Sequence, residues 1–223
     1  MNLSLTLNRY FRRSGLLCRI RFGVRIPNRV IPSLWDQTTP LLRDSLKTHI
    51  QPNIRILEMG TGQSALLLCW LAGAYPQHGL TLLGAEINPH FAENARIVAA
   101  SNLAPVEIIE SDLFSRIDGQ FNIIFMNPPY VPKDHPAAPK EGTAPLDTTW
   151  DGGTEGTDVI DDFLGAAHEY LTNDGLVLLG VNRFYVPSEE TEKLIAANGY
   201  TVRQTVEKPG NQSVVYVLGF AGK

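Results

Sequence analysis

A chain of 223 residues with 43% hydrophobic content is long enough to bury a full core as one domain. Its longest apolar run, 65–72, has eight residues, well short of the ~18 that a membrane helix needs, so no membrane contact is expected. Cys18 and Cys69 have no CxxC spacing and the five histidines are scattered. That argues against a disulfide framework and a metal site, and points to a reduced, cytoplasmic setting. The charge is uneven: before Asp36 stand seven arginines (Arg9, Arg12, Arg13, Arg19, Arg21, Arg25, Arg29) and no acid, whereas the remainder carries 12 Lys/Arg against 23 Asp/Glu. Such a basic arm can contact an acidic partner such as a phosphate backbone, serve as an Arg-rich organelle-targeting segment, or pair with the acidic body. Residues 1–50 are read as this arm and a lead-in, and 51–223 as the domain that holds the motifs.

From residue 54 short apolar runs alternate with helical patterns. Residues 54–58 read as the first strand, 63–75 as a helix, and 81–87 as a second strand ending near an acid. Asn88-Pro89 opens the next helix, with Asn as N-cap and Pro at the first helical position, and Phe91, Ala95 and Val98 share one face. Strands three and four fall at 106–110 and 121–126; the latter is almost wholly apolar, as a strand covered on both faces is. Ile160, Phe163, Leu164, Ala167 and Leu171 repeat at helical spacing, Asn173-Asp174-Gly175 reads as a turn, and 176–181 as strand five. A helix over 188–198 carries Glu189 and Glu190 at its positive end. Two β-rich runs, 200–207 and 213–220, joined across Pro209-Gly210-Asn211, form a closing hairpin. The pattern predicts an α/β fold with a doubly wound, seven-stranded, mostly parallel sheet and one antiparallel strand near its edge. Such sheets bind ligands beyond the carboxyl ends of their strands.

Candidate ligand-binding residues stand at three successive strand ends. Gly60 and Gly62, around Thr61, allow a tight turn and close approach to the backbone, and the helix that follows offers free N–H groups to a carboxylate. Glu58 is placed to hold an ammonium. Glu86, followed by Ile87, ends strand two and can accept both hydroxyls of a ribose. Asp112 can accept an adenine amino group, and Leu113 offers a backbone N–H to the ring. A nicotinamide cofactor usually brings a third glycine where Ser64 stands, and three carboxylates repel a pyrophosphate. S-adenosyl-L-methionine (SAM), cationic and free of phosphate, suits an acidic pocket better.

Asn127-Pro128-Pro129-Tyr130 follows strand four directly. An amide or aniline-like nitrogen is a poor nucleophile because its lone pair is delocalised. The Asn127 side-chain oxygen and the Pro128 carbonyl can each accept one N–H of an NH₂ group, aiming the lone pair at a methyl donor. The prolines stiffen the loop, and Tyr130 offers a flat face to a planar group. In this position the tetrapeptide resembles the signature of class I SAM-dependent amino-methyltransferases, both the HemK/PrmC-type glutamine N5-methyltransferases and the adenine-N6 methyltransferases of DNA and RNA. The resemblance covers about residues 54–220. It implies catalytic roles for Asn127, Pro128, Pro129 and Tyr130, and SAM contacts for Glu58, Gly60, Thr61, Gly62, Glu86, Ile87, Asp112, Leu113 and Asn127.

Two families compete for the substrate. Trp150-Asp151-Gly152-Gly153-Thr154-Glu155-Gly156 and Gly210-Asn211-Gln212-Ser213 resemble segments of the HemK/PrmC type. So do Ile31-Pro32 and Thr39-Pro40-Leu41-Leu42, although Thr38 stands where an acid usually precedes that threonine. These imply glutamine N5 of a protein, release-factor-like, as the first choice of substrate. Gly60-Thr61-Gly62-Gln63-Ser64 and Gly84-Ala85-Glu86-Ile87-Asn88-Pro89 resemble adenine-N6 enzymes of structured RNA, which an arginine arm also suits. The short eukaryotic-type HemK relatives work with a partner subunit. A small-molecule amine is a third possible acceptor, and a catalytically inactive SAM-fold binding subunit is the non-enzyme alternative, which Asn127 argues against. The loop 131–149, rich in proline, is read as a substrate lid.

Overall fold

The computed structural model describes residues 14–30, 32, 37–135 and 150–222. Helices α1 (Gly15–Phe22) and α2 (Thr38–His49) lead into β1 (Arg55–Met59), α3 (Leu66–Ala74), β2 (Thr81–Glu86), α4 (Pro89–Ser101), β3 (Val106–Glu110) and β4 (Phe121–Met126). Then come α5 (Asp158–Ala167), β5 (Leu171–Asn182), α6 (Ser188–Ala197), β6 (Tyr200–Glu207) and β7 (Ser213–Phe220). The seven strands lie in the order β3-β2-β1-β4-β5-β7-β6, and β7 alone runs antiparallel to its neighbours. This is the fold expected from the sequence. The strand order reverses between β1 and β4, which leaves a crevice beyond their carboxyl ends.

Alternation along the strands divides the core into two layers. Ile56, Ile123 and Phe125 pack with α2, α3 and α4, whereas Leu57, Met59, Ile124 and Met126 pack with α5 and α6. The apolar spacing in α5 explains its place: Ile160, Phe163, Leu164 and Ala167 are all fully buried on one face. The lead-in shares the first layer, through Cys18 and Phe22 of α1 and Leu41, Leu42 and Leu46 of α2. Asn88 caps α4, its side chain accepting from the N–H groups of His90 and Phe91, with Pro89 beginning the helix.

Two expectations need correction. The helix expected over 63–75 begins at Leu66; Gly62–Ser64 form a single 3-10 turn, and the buried Ala65 takes a left-handed conformation (φ 40°) that breaks the helix from the glycine turn. Asn173-Asp174-Gly175 does not end an element. It bulges out of β5, because Leu171 and Leu176 on either side pair with Phe121 and Ile123 of the same neighbouring strand. Among the described residues, no ion pair involves Arg19, Arg21, Arg25 or Arg29. Arg9, Arg12, Arg13, Ile31 and most of the expected lid, 136–149, lie outside the described residues. No described helix is long and apolar enough to cross a membrane.

Candidate active site

One cleft of about 440 Å³ opens at the carboxyl ends of β1, β2, β3 and β4, and every site residue expected from the sequence lines it. Glu58, Gly60, Thr61 and Gly62 come from β1 and its turn, Glu86 and Ile87 from β2, Asp112 and Leu113 from the end of β3, and Asn127, Pro128, Pro129 and Tyr130 from the end of β4.

The turn after β1 is built for close approach. Gly60 and Gly62 have φ values of 67° and 63°, which an L side chain rarely adopts, and a Cβ on Gly62 would meet nothing within 4 Å. The free N–H groups of α3 begin at Leu66, and Leu66 and Leu67 line the cleft, so the helix start still faces it. Glu58 and Glu86 are both buried. The Thr61 hydroxyl donates to Glu58 Oε2 at 2.7 Å. The N–H groups of Gly62 and Asn88 donate to Glu86 Oε2 and Oε1, at 2.8 and 3.0 Å. Together with the Ile87 N–H, these bonds fix the orientation of Glu86 at the cleft. Burial pushes the Glu58 carboxyl up to about 8, the Thr61 hydroxyl pulls it down, and the neighbouring Glu86 charge raises it further. Burial raises Glu86 as well, against the backbone N–H groups that bind it. Beyond β3, the buried Ser111 hydroxyl donates to the Leu113 carbonyl at 2.8 Å and accepts from Arg116 N–H at 3.1 Å. This holds Leu113 in a left-handed conformation (φ 42°) and Asp112 at the cleft. Two carboxylates without a cationic partner among the described residues, a glycine cradle and a third acid fit a cationic nucleoside such as SAM.

The loop after β4 forms the facing wall of the cleft. Asn127 Oδ1 is buried and has no hydrogen-bond partner among the described residues. Buried acceptors are nearly always satisfied, so an orphan at a cleft wall is the mark of a group held for a ligand's hydrogens. The Gly-Gly segment explains how the loop is kept in place. Val131 N–H donates to the Trp150 carbonyl, Gly152 N–H to the Val131 carbonyl, and Lys133 N–H to the Gly153 carbonyl, at 2.9, 3.0 and 3.0 Å. A Cβ on Gly152 would come within 2.8 Å of Tyr130 Cα, and one on Gly156 within 2.6 Å of the Tyr130 carbonyl oxygen. Only glycine lets these two backbones lie so close.

The cleft also takes Thr39, Trp150, Asp151, Val159, Asp162, Asn182 and Tyr185. Of these, Thr39, Trp150 and Asp151 belong to segments singled out by motif, whereas Val159, Asp162, Asn182 and Tyr185 were missed as site residues. Asn182 and Tyr185 follow an apolar strand at its carboxyl end, which was the available signal. Asp162 faces the cleft from a helix and carried none.

The model of the methyltransferase small domain matches residues 33–138. A release factor glutamine methyltransferase of Deinococcus radiodurans is 32% identical over 139 residues, covering 62% of this chain and 49% of that protein. The eRF1 methyltransferase catalytic subunit mtq2 of Schizosaccharomyces pombe is 28% identical over 181 residues, covering 74% and 75%. The crystal structure of a methyltransferase from Pyrococcus furiosus superposes with a TM-score of 0.69 over 99% of each chain at 18% identity. The fold is thus the Rossmann-like, seven-stranded one of class I SAM-dependent methyltransferases. Within that fold, the matched part of the chain is similar to the methyltransferase small domain and to proteins named as glutamine methyltransferases. It spans between 49% and 62% of the length of three curated relatives it matches.

Proposed function

We propose that the chain is a SAM-dependent N-methyltransferase that acts on the side-chain amide nitrogen (N5) of a glutamine in a protein. The observation that carries this reading is the buried, unpartnered Asn127 Oδ1 in the cleft wall next to the acidic, glycine-lined half. SAM, when bound, supplies an electrophilic methyl group on a sulfonium. Asn127 Oδ1 and the Pro128 carbonyl each accept one hydrogen of the glutamine NH₂, which pyramidalises the nitrogen and turns its lone pair toward that methyl. Tyr130 covers the amide plane. The N–C bond forms as the C–S bond breaks, and the cationic amide then loses its proton to water, so no strong base is required.

Two further facts favour a protein substrate over a nucleic acid. The described residues lining the cleft include Glu58, Glu86, Asp112, Asp151 and Asp162 and no lysine or arginine, which repels a phosphate backbone. Relatives across bacteria and fungi carry names for glutamine or release-factor methylation. The name of the fission-yeast relative, a catalytic subunit, also supports work with a partner subunit.

The test is tritiated-SAM labelling of a lysate, followed by digestion with protease or nuclease. Label should pass into small fragments with protease and yield N5-methylglutamine on hydrolysis under conditions that preserve the amide. Asn127→Ala should lower turnover by about 10² to 10³-fold while SAM affinity changes little. Label released by nuclease instead would establish adenine methylation, and unchanged turnover in Asn127→Ala would overturn the mechanism.

A further inference from the structure

The sheet ends at β3 on one side and at β6 on the other. In a parallel ladder, alternate residues turn both their N–H and C=O groups to the same neighbour. Ser111 N–H donates to the Glu86 carbonyl of β2 at 3.0 Å, so residues 107, 109 and 111 face β2. Val106, Ile108 and Glu110 therefore turn their main-chain groups outward. Such a row is a template for another strand unless something covers it.

Two arginines from different elements cover the acceptors of this row. Arg96, on α4, donates to the Ile108 carbonyl from both Nε and Nη2, at 3.3 and 3.1 Å. Arg116, in the turn after β3, donates from Nη1 to the Glu110 carbonyl at 3.2 Å. Val106 N–H donates to the Ala104 carbonyl at 2.8 Å. Neither arginine lines the cleft, so the cofactor and acceptor leave both unexplained. The opposite edge is blunted in another way: β6 bulges between Val202 and Gln204, and the Arg203 side chain lies over Gly219, where a Cβ would collide with it.

The strand's own sequence says what the arginines keep out. Val106-Glu107-Ile108-Ile109-Glu110 is rich in β-branched residues and is self-complementary. An antiparallel copy centred on Ile108 sets Ile108 against itself, Glu107 against Ile109 and Glu110 against Val106, so no two carboxylates stand opposite each other. In that register Ile108 exchanges both main-chain bonds with its copy, and the carbonyl it needs is the one Arg96 holds. We propose that Arg96 and Arg116 are guards of the β3 edge: they close it to the β3 of a second copy of this chain, and without them the two edges pair antiparallel about Ile108.

The test is sedimentation equilibrium of the full chain and its variants. Arg96→Ala combined with Arg116→Ala should tighten self-association at least about ten-fold over the parent, the gain that two main-chain hydrogen bonds between Ile108 and its copy supply. Losing two positive charges makes an acidic chain more acidic, and that repulsion works against the expected result. Glu110→Pro in the same background removes an outward N–H and no ladder bond, and should return association to the parent value. Amide exchange at Ile108 and Glu110, read by NMR, should slow with protein concentration in the double variant and not in the parent. A double variant that associates no more tightly than the parent, or a gain that survives Glu110→Pro, would overturn the proposal. Where the double variant does not fold, Arg96→Lys keeps the charge and loses the two-pronged grip; it should tighten association about three-fold, and association and exchange equal to the parent's would overturn the proposal as well.

Discussion

Replacing Glu58 with Gln should remove a pH dependence that SAM binding otherwise carries. The carboxyl is buried beside Glu86, and burial, opposed by the Thr61 hydroxyl and reinforced by the Glu86 charge, raises it from the ordinary 4.5 to about 8. The unliganded protein therefore holds a proton on Glu58 that the unfolded chain releases. A carboxyl raised in the folded state stabilises the fold below pH 4.5 and loses that contribution as pH climbs toward 8, a loss on the order of 4 kcal/mol. Pairing with the α-ammonium of SAM reverses the situation: the ionised carboxylate gains a partner and the complex keeps one proton between the two groups. Below pH 7 binding must then expel about one proton, and affinity should rise with pH until the carboxyl at about 8 and an ordinary α-amino group near 7.8 are both half-titrated. From pH 6 to pH 8 this amounts to about 20-fold, with a decline above pH 9. Calorimetry with S-adenosylhomocysteine in two buffers of different ionisation enthalpy counts the proton directly. Methylthioadenosine, which lacks the amino-acid moiety, should bind with no such profile, and Glu58→Gln should flatten it while raising the melting temperature at pH 8. A flat affinity between pH 6 and 8 for the parent protein would refute the pairing.

Three substitutions probe the frame around the site. Gly84→Val places side-chain carbons where a Cβ alone already meets Ile108, Leu68 and Thr61 at 2.9, 3.0 and 3.1 Å, so overpacking of about 2 kcal/mol should lower the melting temperature by roughly 5 °C. Gly152→Ala puts a Cβ within 2.7 Å of Gly156 Cα and 2.8 Å of Tyr130 Cα; backbone cannot yield as a side-chain tip does, so the Asn127 loop must shift. Turnover should fall about 10²-fold with SAM affinity held within about two-fold, as steady-state kinetics and calorimetry will show. Asn88→Ala deletes the cap of α4, which should cost about 1 kcal/mol and about 3 °C in a thermal melt.

The strand ends were legible because three signals coincide there: an apolar run, a carboxylate, and a turn residue. Glu58 with Gly60 and Glu86 with Asn88 each mark a place where a buried strand stops, and Asn127 with Pro128 does the same with an amide in the carboxylate's place; Glu58, Gly60, Glu86, Asn127 and Pro128 all line one cleft. The break at Ala65 was not legible. Ala is a good helix former, and its left-handed conformation is imposed by the packing of the glycine turn, which no local propensity records. The bulge at 172–175 misled for the opposite reason: Asn-Asp-Gly is strong turn chemistry, overruled because leucines on both sides pair with one neighbouring strand.

The missed residues show where sequence reading of such a site ends. Asp162 reaches the cleft from the middle of α5, and Tyr185 from a turn whose direction is set by Asn182; in both cases tertiary placement, not spacing, brings the side chain to the mouth. The cofactor half of the cleft is assembled from strand ends that lie side by side in β1, β2 and β3, so its residues must recur in a fixed order along the chain. The other half is assembled from the ends of β4 and β5, which pair directly, and from α5; the glycine-mediated zip between Val131 and Gly152 pins the loop after β4 to the segment that leads into α5. The residues of the first half, and the tetrapeptide after β4, are therefore written in short motifs, whereas Tyr185 and Asp162 reach the cleft by tertiary placement that can change without disturbing the sheet or the cofactor turn.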